Sequence, residues 1–152
     1  MPTLNVRHYR PEDLVAVVDV WYRSWNASSP TVPHPMAFQA WAPRFVHELV
    51  PKGTIWVAEI EEQVVGFMLF VDRESYIDQL YVDPDFLGQG IGTVLLDLAK
   101  AAAPGGVTLH ALTHNQRARA FYEKHGFVAG PERVNIVNGQ MQVEYRGHPT
   151  GG

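Results

Sequence analysis

Leu80-Tyr81-Val82-Asp83-Pro84-Asp85-Phe86-Leu87-Gly88-Gln89-Gly90-Ile91-Gly92-Thr93-Val94-Leu95-Leu96 is the stretch on which the fold turns. An apolar strand stops at Asp83-Pro84, since proline cannot donate to a ladder and biases the residue before it toward extended backbone. Gly88, Gly90 and Gly92 follow at alternate positions, and a helix then runs from about Gly90 to Ala103 through Val94, Leu95, Leu98 and Ala102. Glycines at a helix mouth bring several N–H groups to one point with no side chain in the way, and the helix dipole adds a favourable field for an anion. By itself the loop specifies an anion site or an ordinary glycine-rich connection. Two familiar phosphate loops do not fit. A Walker loop needs Gly-Lys before its Ser or Thr, and Gly92-Thr93 has no lysine ahead of it. A dinucleotide fingerprint needs G-x-G-x-x-G after an early strand, whereas this spacing is shorter and follows a fourth strand, which argues against a nicotinamide-linked oxidoreductase.

Upstream, Leu4 to Tyr9 alternates as a strand, and Arg10-Pro11-Glu12-Asp13 opens a helix carrying Leu14, Val17, Val18, Trp21, Tyr22 and Trp25 at helical spacing. Ser28, Ser29, Pro30, Pro33 and Pro35 mark a loop over residues 26–35, and a second helix is predicted from about Met36 to Val50, interrupted or restarted near Pro43. Thr54 to Ile60 and Val64 to Val71 read as an antiparallel hairpin, and Glu74 to Val82 as the next strand. Downstream, Pro104-Gly105-Gly106 ends the glycine-loop helix, Val107 to Thr113 is a strand, and Asn115 to His125 is a helix with Gly126 at its C-cap. Phe127-Val128 starts the last sheet segment, and Val134 to Val137 with Gln140 to Tyr145 flank the hairpin signal Asn138-Gly139. The order predicts a mixed α/β sheet with helices on both faces. A single domain is expected over residues 1–147, with 148–152 a flexible tail.

The helix Asn115-Gln116-Arg117-Ala118-Arg119-Ala120-Phe121-Tyr122-Glu123-Lys124-His125-Gly126-Phe127 supplies the second signature. It resembles N-x-x-A-x-x-F-Y-E-x-x-G-F of the GNAT N-acetyltransferase superfamily, and the glycine stretch resembles that family's acetyl-CoA motif. Both occur in the family's order with a strand between them. The resemblance implies an acyl-CoA N-acyltransferase fold: a mostly antiparallel sheet of about seven strands, splayed between the fourth and fifth by a bulge. It implies acetyl-CoA as co-substrate, a direct attack on it by a primary amine of a small molecule or peptide, and a possible homodimer. One position departs from the family pattern: Leu87 stands where Gln or Arg is usual, so it can offer its backbone N–H but no side-chain contact.

Carried onto this sequence, the resemblance assigns Leu80, Tyr81, Val82, Leu87, Gly88, Gln89, Gly90, Ile91, Gly92, Thr93, Asn115, Ala118 and Tyr122 to the cofactor. Tyr122 matches the tyrosine that protonates the departing thiolate, and a phenol with a pKa of about 10 is a competent donor at neutral pH. Asn115 either caps its helix or also bonds the pantetheine. Strict alternation would put Tyr76, Asp78, Leu80 and Val82 on one face of the fourth strand. Asp78 is the candidate base for the amine, with Glu74, His34 or water as alternatives. The resemblance implies an acceptor pocket formed by the first two helices, the loop joining them and the terminal hairpin, which here supply Trp25, His34, Phe38, Trp41 and Tyr145; these serve either a pocket or the core, with Trp41 read as core like Trp21, and Tyr76 of the fourth strand is added to the pocket. Leu87 keeps a second reading open, a non-catalytic acyl-CoA-binding or regulatory module.

Composition narrows the rest. Lys and Arg total 12 against 16 Asp and Glu, a net charge of −4 that offers no general attraction for nucleic acid or an anionic membrane. With no cysteine there is no disulfide, thiolate metal site or cysteine nucleophile. The seven histidines, at 8, 34, 47, 110, 114, 125 and 148, show no metal-ligand spacing, so no metal is expected. No apolar run reaches the roughly 18 residues of a membrane helix. Residues 1–7 show no basic segment followed by an apolar core, which predicts a cytoplasmic protein without a secretory signal.

Overall fold

The computed structural model describes residues 3–28, 38–135 and 139–147. Strand β1 (Leu4–His8) leads through a 3-10 turn at Pro11–Asp13 into helix α1 (Leu14–Ser28). After a 3-10 turn at Phe38–Ala40 come α2 (Trp41–Arg44), a π turn (Phe45–Leu49) and a 3-10 turn (Val50–Lys52). Strands β2 (Thr54–Ile60), β3 (Gln63–Val71) and β4 (Tyr76–Val82) lead to α3 (Ile91–Ala102), β5 (Thr108–Leu112), α4 (Gln116–Lys124), β6 (Phe127–Val134) and β7 (Met141–Gly147). The seven strands form one sheet in the order β1-β2-β3-β4-β5-β7-β6, and β4 with β5 is its parallel pair.

The second helix departs from a regular run because of its prolines. Pro43 falls in the first turn of α2, where its missing N–H is one of the donors without an intrahelical partner, so the helix starts there rather than breaking. Pro51 removes the donor that would carry the ladder on, and the chain closes in a 3-10 turn. Trp41, Phe45 and Leu49, each fully buried, hold this irregular segment by one i, i+4 stripe. The fourth strand also starts later than its apolar pattern suggests: Asp72–Glu74 is an exposed 3-10 turn ended by Ser75 in the left-handed region at φ 50°, so Glu74 is not a strand residue. The last segment, predicted in two pieces, is one strand from Phe127 to Val134, with its irregularity absorbed as a bulge between Ala129 and Glu132. Asn138 of the predicted turn lies outside the described residues, and Gly139 has φ 72°.

Both faces of the sheet are covered. Val17, Trp21, Trp41 and Phe45 bury one face with Phe67 and Leu69 of β3; Leu95, Leu96 and Ala99 of α3 and Tyr122 of α4 bury the other with Met68 and Phe70. Trp21 and Trp41 meet edge to face at 4.5 Å, as core aromatics do.

What positions the site is an irregularity in β4. Leu69 pairs with Gln79 and Phe70 with Ile77, which leaves Asp78 as the extra residue of a bulge. Toward β5, β4 pairs only through Tyr76 with Thr108 and Ile77 with Leu109. Past the bulge the two strands part, and β4 presents an edge of backbone N–H and C=O groups toward the gap. The bulge also changes which side chains share a face. Leu80 and Val82 lie with the α3 and α4 core and Tyr81 with the α1 and α2 core, so the common face expected for Tyr76, Asp78, Leu80 and Val82 does not exist.

Candidate active site

At the C-terminal end of β4 the chain turns through Pro84–Phe86, capped by the Asp83 carboxylate, which accepts from the Asp85 N–H at 2.9 Å. Gly88 and Gly90 follow at φ 82° and 81°, and a Cβ placed on either would meet nothing within 4 Å. That open space lies beside the first N–H groups of α3, which no intrahelical carbonyl can satisfy. Gly92 lacks a side chain for another reason: a Cβ there would sit 3.2 Å from the Phe121 ring, so it lets α4 approach α3. The His125 Nδ1–H donates to the Phe121 carbonyl at 2.8 Å, which leaves its Nε2 to accept from the Thr93 hydroxyl at 3.0 Å. A cleft of about 650 Å³ opens over this cradle. It is lined by every residue assigned from sequence to the cofactor except Gln89, which is exposed elsewhere on the loop. Arg117, Lys124 and His125 line it as well; they stood inside the second signature without being assigned, and two of them add positive charge. Open glycines, unspent N–H groups and two cationic side chains fit a pyrophosphate.

A second cleft, of about 800 Å³, opens between the α1 and α2 side and the parting strands. It shares Leu80, Tyr81, Asn115, Ala118 and Tyr122 with the first, so the two clefts meet where β4 leaves β5. Trp25, 5% exposed, belongs to the α1 core and still edges this cleft, and Tyr76 and Asp78 line it. Glu74 lines neither cleft and His34 lies outside the described residues. Phe38 falls in the 3-10 turn ahead of α2. Tyr145 is fully buried under α4, donating to Glu123 at 2.6 Å and accepting from Arg119 at 3.0 Å, so it is structural rather than part of the pocket.

Tyr122 stands at the junction. It is 8% exposed, and burial, with Tyr81 and Tyr76 nearby, raises its phenol above the ordinary value, keeping the proton on the oxygen. Asn115 caps α4 by accepting from the Ala118 N–H at 3.1 Å. In the second cleft the Asp78 carboxylate faces the Lys52 ammonium at 3.4 Å and accepts from the Gln79 amide at 3.0 Å. Beyond it the Tyr76 hydroxyl lies 2.6 Å from His110 Nδ1, and His110 Nε2 lies 3.9 Å from Glu144. Sequence reasoning did not find His110 and Glu144: His110 meets Tyr76 because β5 runs parallel beside β4, Glu144 joins them because β7 inserts beside β5, and the one local signal was a polar residue on alternate positions of each strand.

The model of the acetyltransferase (GNAT) family matches residues 14–127, which hold the whole lining of the first cleft and all of the second except Asn135 and Gln142. The chain belongs to this family. As a GNAT protein it is 33% identical over 147 residues to peptidyl-lysine N-acetyltransferase YjaB of Salmonella typhimurium, covering 96% of this chain and 92% of that one. It is 31% identical over 147 residues to the protein of that name in Escherichia coli, covering 96% and 91%. The solution structure of apo-form YjaB from Escherichia coli superposes with a TM-score of 0.79 at 27% identity, covering 99% of both chains. In this GNAT chain the cradle, the splayed strands and the tyrosine at their junction therefore belong to an acetyl-CoA-dependent N-acetyltransferase.

Proposed function

We propose that this acetyltransferase modifies the side-chain amine of lysine in a peptide or protein. The observation that carries the reading is the meeting of two clefts at the β4–β5 gap, one cationic and glycine-lined, the other bearing a carboxylate that already holds an ammonium. Lys52 shows what Asp78 can bind: its Nζ, on a side chain 45% exposed, stands where an incoming lysine could replace it. The YjaB relatives, named for peptidyl-lysine, support the same acceptor class.

Acetyl-CoA supplies an acyl group activated as a thioester. The edge of β4 past Ile77 would align its arm, since that backbone is not paired to β5, and an N–H there would face the thioester carbonyl. Asp78 draws the acceptor ammonium in, and Tyr122 gives its proton to the sulfur as it leaves. The Tyr122 ring packs in the α3 and α4 core, and its hydroxyl is the part this step uses.

The test is thiol release from acetyl-CoA over a panel of lysine peptides, polyamines and aminoglycosides, with mass spectrometry of the products. Acetylation of peptide lysine ε-amines above the small amines is expected. Acetylation of the small amines alone would refute the acceptor class. Tight acetyl-CoA binding with no product from any amine would favour the non-catalytic module that Leu87 leaves open.

A further inference from the structure

Tyr76 and His110 line the acceptor cleft and Glu144 stands behind them, a row of three titratable side chains with no part in the cofactor cradle or in Tyr122's role. His110 of β5 is in register with Glu144 of β7, and their neighbours Leu109, Ala111, Val143 and Tyr145 are buried in the α3 and α4 core. Alternation therefore sends His110 and Glu144 to the other face of the sheet, the face of the acceptor cleft. Tyr76 of β4 reaches the imidazole from the opposite side, 2.6 Å from Nδ1, while Glu144 lies 3.9 Å from Nε2, a span one water can bridge. The tautomer with its proton on Nε2 directs that proton toward the Glu144 carboxylate, and it is the tautomer the relay uses. Nδ1 then accepts from the Tyr76 hydroxyl, and a lone pair on the Tyr76 oxygen is left for a donor in the cleft.

We propose that His110 takes the proton of the attacking amine through the Tyr76 hydroxyl, with Glu144 as the counter-charge of the imidazolium. This rests on the acetyl-transfer reading above. The ammonium held at Asp78 first gives one proton to solvent; as the neutral amine nitrogen then bonds to the acetyl carbon, a second proton passes to the Tyr76 oxygen and the Tyr76 proton passes to His110 Nδ1. Tyr76 ends as a phenol and His110 as an imidazolium. The C–S bond breaks, the thiolate takes the Tyr122 proton, and both groups then re-equilibrate with solvent. Asp78 is left to hold the ammonium, consistent with its contacts to Lys52 and Gln79. The titratable and charged groups around His110 are Tyr76 and Asp78 from β4, Glu144 from β7 and Arg133 from β6, with Arg146 bonded to Glu144 at 2.8 Å. Burial, the largest influence, holds His110 below its ordinary pKa against the pull of Glu144, so it is neutral and able to accept at pH 7.

The experiment is the pH profile of kcat/KM for acetyl-CoA and a lysine peptide in the parent, His110→Gln, Tyr76→Phe and Glu144→Gln. The parent should show an acidic limb with a midpoint below the ordinary histidine value of about 6.5. His110→Gln and Tyr76→Phe should each lower kcat by roughly 100-fold, with the KM for acetyl-CoA unchanged, and His110→Gln should abolish the limb. Glu144→Gln should move the limb to lower pH. If His110→Gln folds poorly, the NMR titration of the His110 ring gives the same reading, with a midpoint lower in Glu144→Gln than in the parent. A parent that transfers acetyl while His110→Gln keeps its limb and its kcat within threefold would overturn the relay alone. An NMR midpoint that Glu144→Gln leaves unmoved would do the same. A parent that acetylates no amine would overturn the acetyl-transfer reading and the relay with it.

Discussion

Replacing Arg23 with Met should destabilise the protein by about 2 kcal/mol, because it strips a buried carboxylate of its ion-pair partner. Asp83 is 1% exposed and accepts from both terminal nitrogens of Arg23, one at 3.0 Å, and from the Asp85 N–H at 2.9 Å. The Ser24 hydroxyl donates to the Val82 carbonyl at 2.9 Å, so together these bonds fasten α1 to the end of β4. Removing one partner of a fully buried pair costs about 3–5 kcal/mol. Arg23 is 37% exposed, so water reaches the vacated space, and we discount the cost to about 2 kcal/mol. Its exposed contact with Asp19 adds little. At about 2–4 °C per kcal/mol for a chain of this size, Tm should fall by about 4–8 °C. Arg23 holds the Asp83 carboxyl below the usual carboxylate range, against its burial and with help from the Asp85 N–H. A folded pKa depressed in this way gives stability that is complete above the unfolded value of about 3.9 and lost as pH falls through the folded one. Urea unfolding at pH 7 and at pH 3 measures both quantities. A variant within about 0.5 kcal/mol of the parent at pH 7 would refute the reasoning, as would a deficit of equal size at both pH values.

Tyr122→Phe should bind CoA within twofold of the parent and turn over roughly 10- to 100-fold more slowly in a thiol-release assay; equal turnover would remove the hydroxyl from the mechanism. Gly90→Ala meets no neighbour but must hold φ 81°, so it should fold while adding about 1–2 kcal/mol of strain to the cradle and weakening CoA by roughly 5- to 20-fold. An unchanged Kd by calorimetry would show that the ligand does not use that backbone. Leu87→Arg puts a donor where the side chain is 38% exposed at the cleft, and a screened charge-assisted bond should tighten CoA by about 2- to 5-fold at low salt. If the affinity does not rise, or rises equally at high salt, Leu87 does not face the pyrophosphate.

The cradle was legible because its information is local. Proline and glycine constrain the backbone wherever they stand, so Asp83-Pro84 and the alternating glycines announced the strand end and the helix mouth before any contact was known. The aromatic helix was only partly legible: Trp21 and Trp41 lie in the core as read, whereas Trp25, assigned to the acceptor pocket, is buried on the same face and only edges the cleft. Tyr145 misled because strand parity through β7 depends on where the strand pairs: opposite Leu109 it turns into the core beneath α4, and no property of residues 140–145 alone decides that.

Asp78 shows why the acceptor side resisted the same treatment. Alternation assigns every second residue of a strand to one face, and a single inserted residue reverses the assignment for everything beyond it. Here the inserted residue is Asp78 itself, so the carboxylate expected to be one member of a common face is the reason that face is broken. The same bulge stands where β4 stops pairing with β5, which opens the gap between the clefts and leaves Tyr76 with the acceptor face while Leu80 goes to the other side. Tyr76 then meets a histidine 34 positions away, across a parallel crossover whose register no local pattern encodes. Deleting Asp78 should therefore do more than remove a charge: Leu80 and Tyr81 would keep their present partners and faces, but β4 would lose the bulge at which it parts from β5, closing the gap through which the amine must reach the thioester.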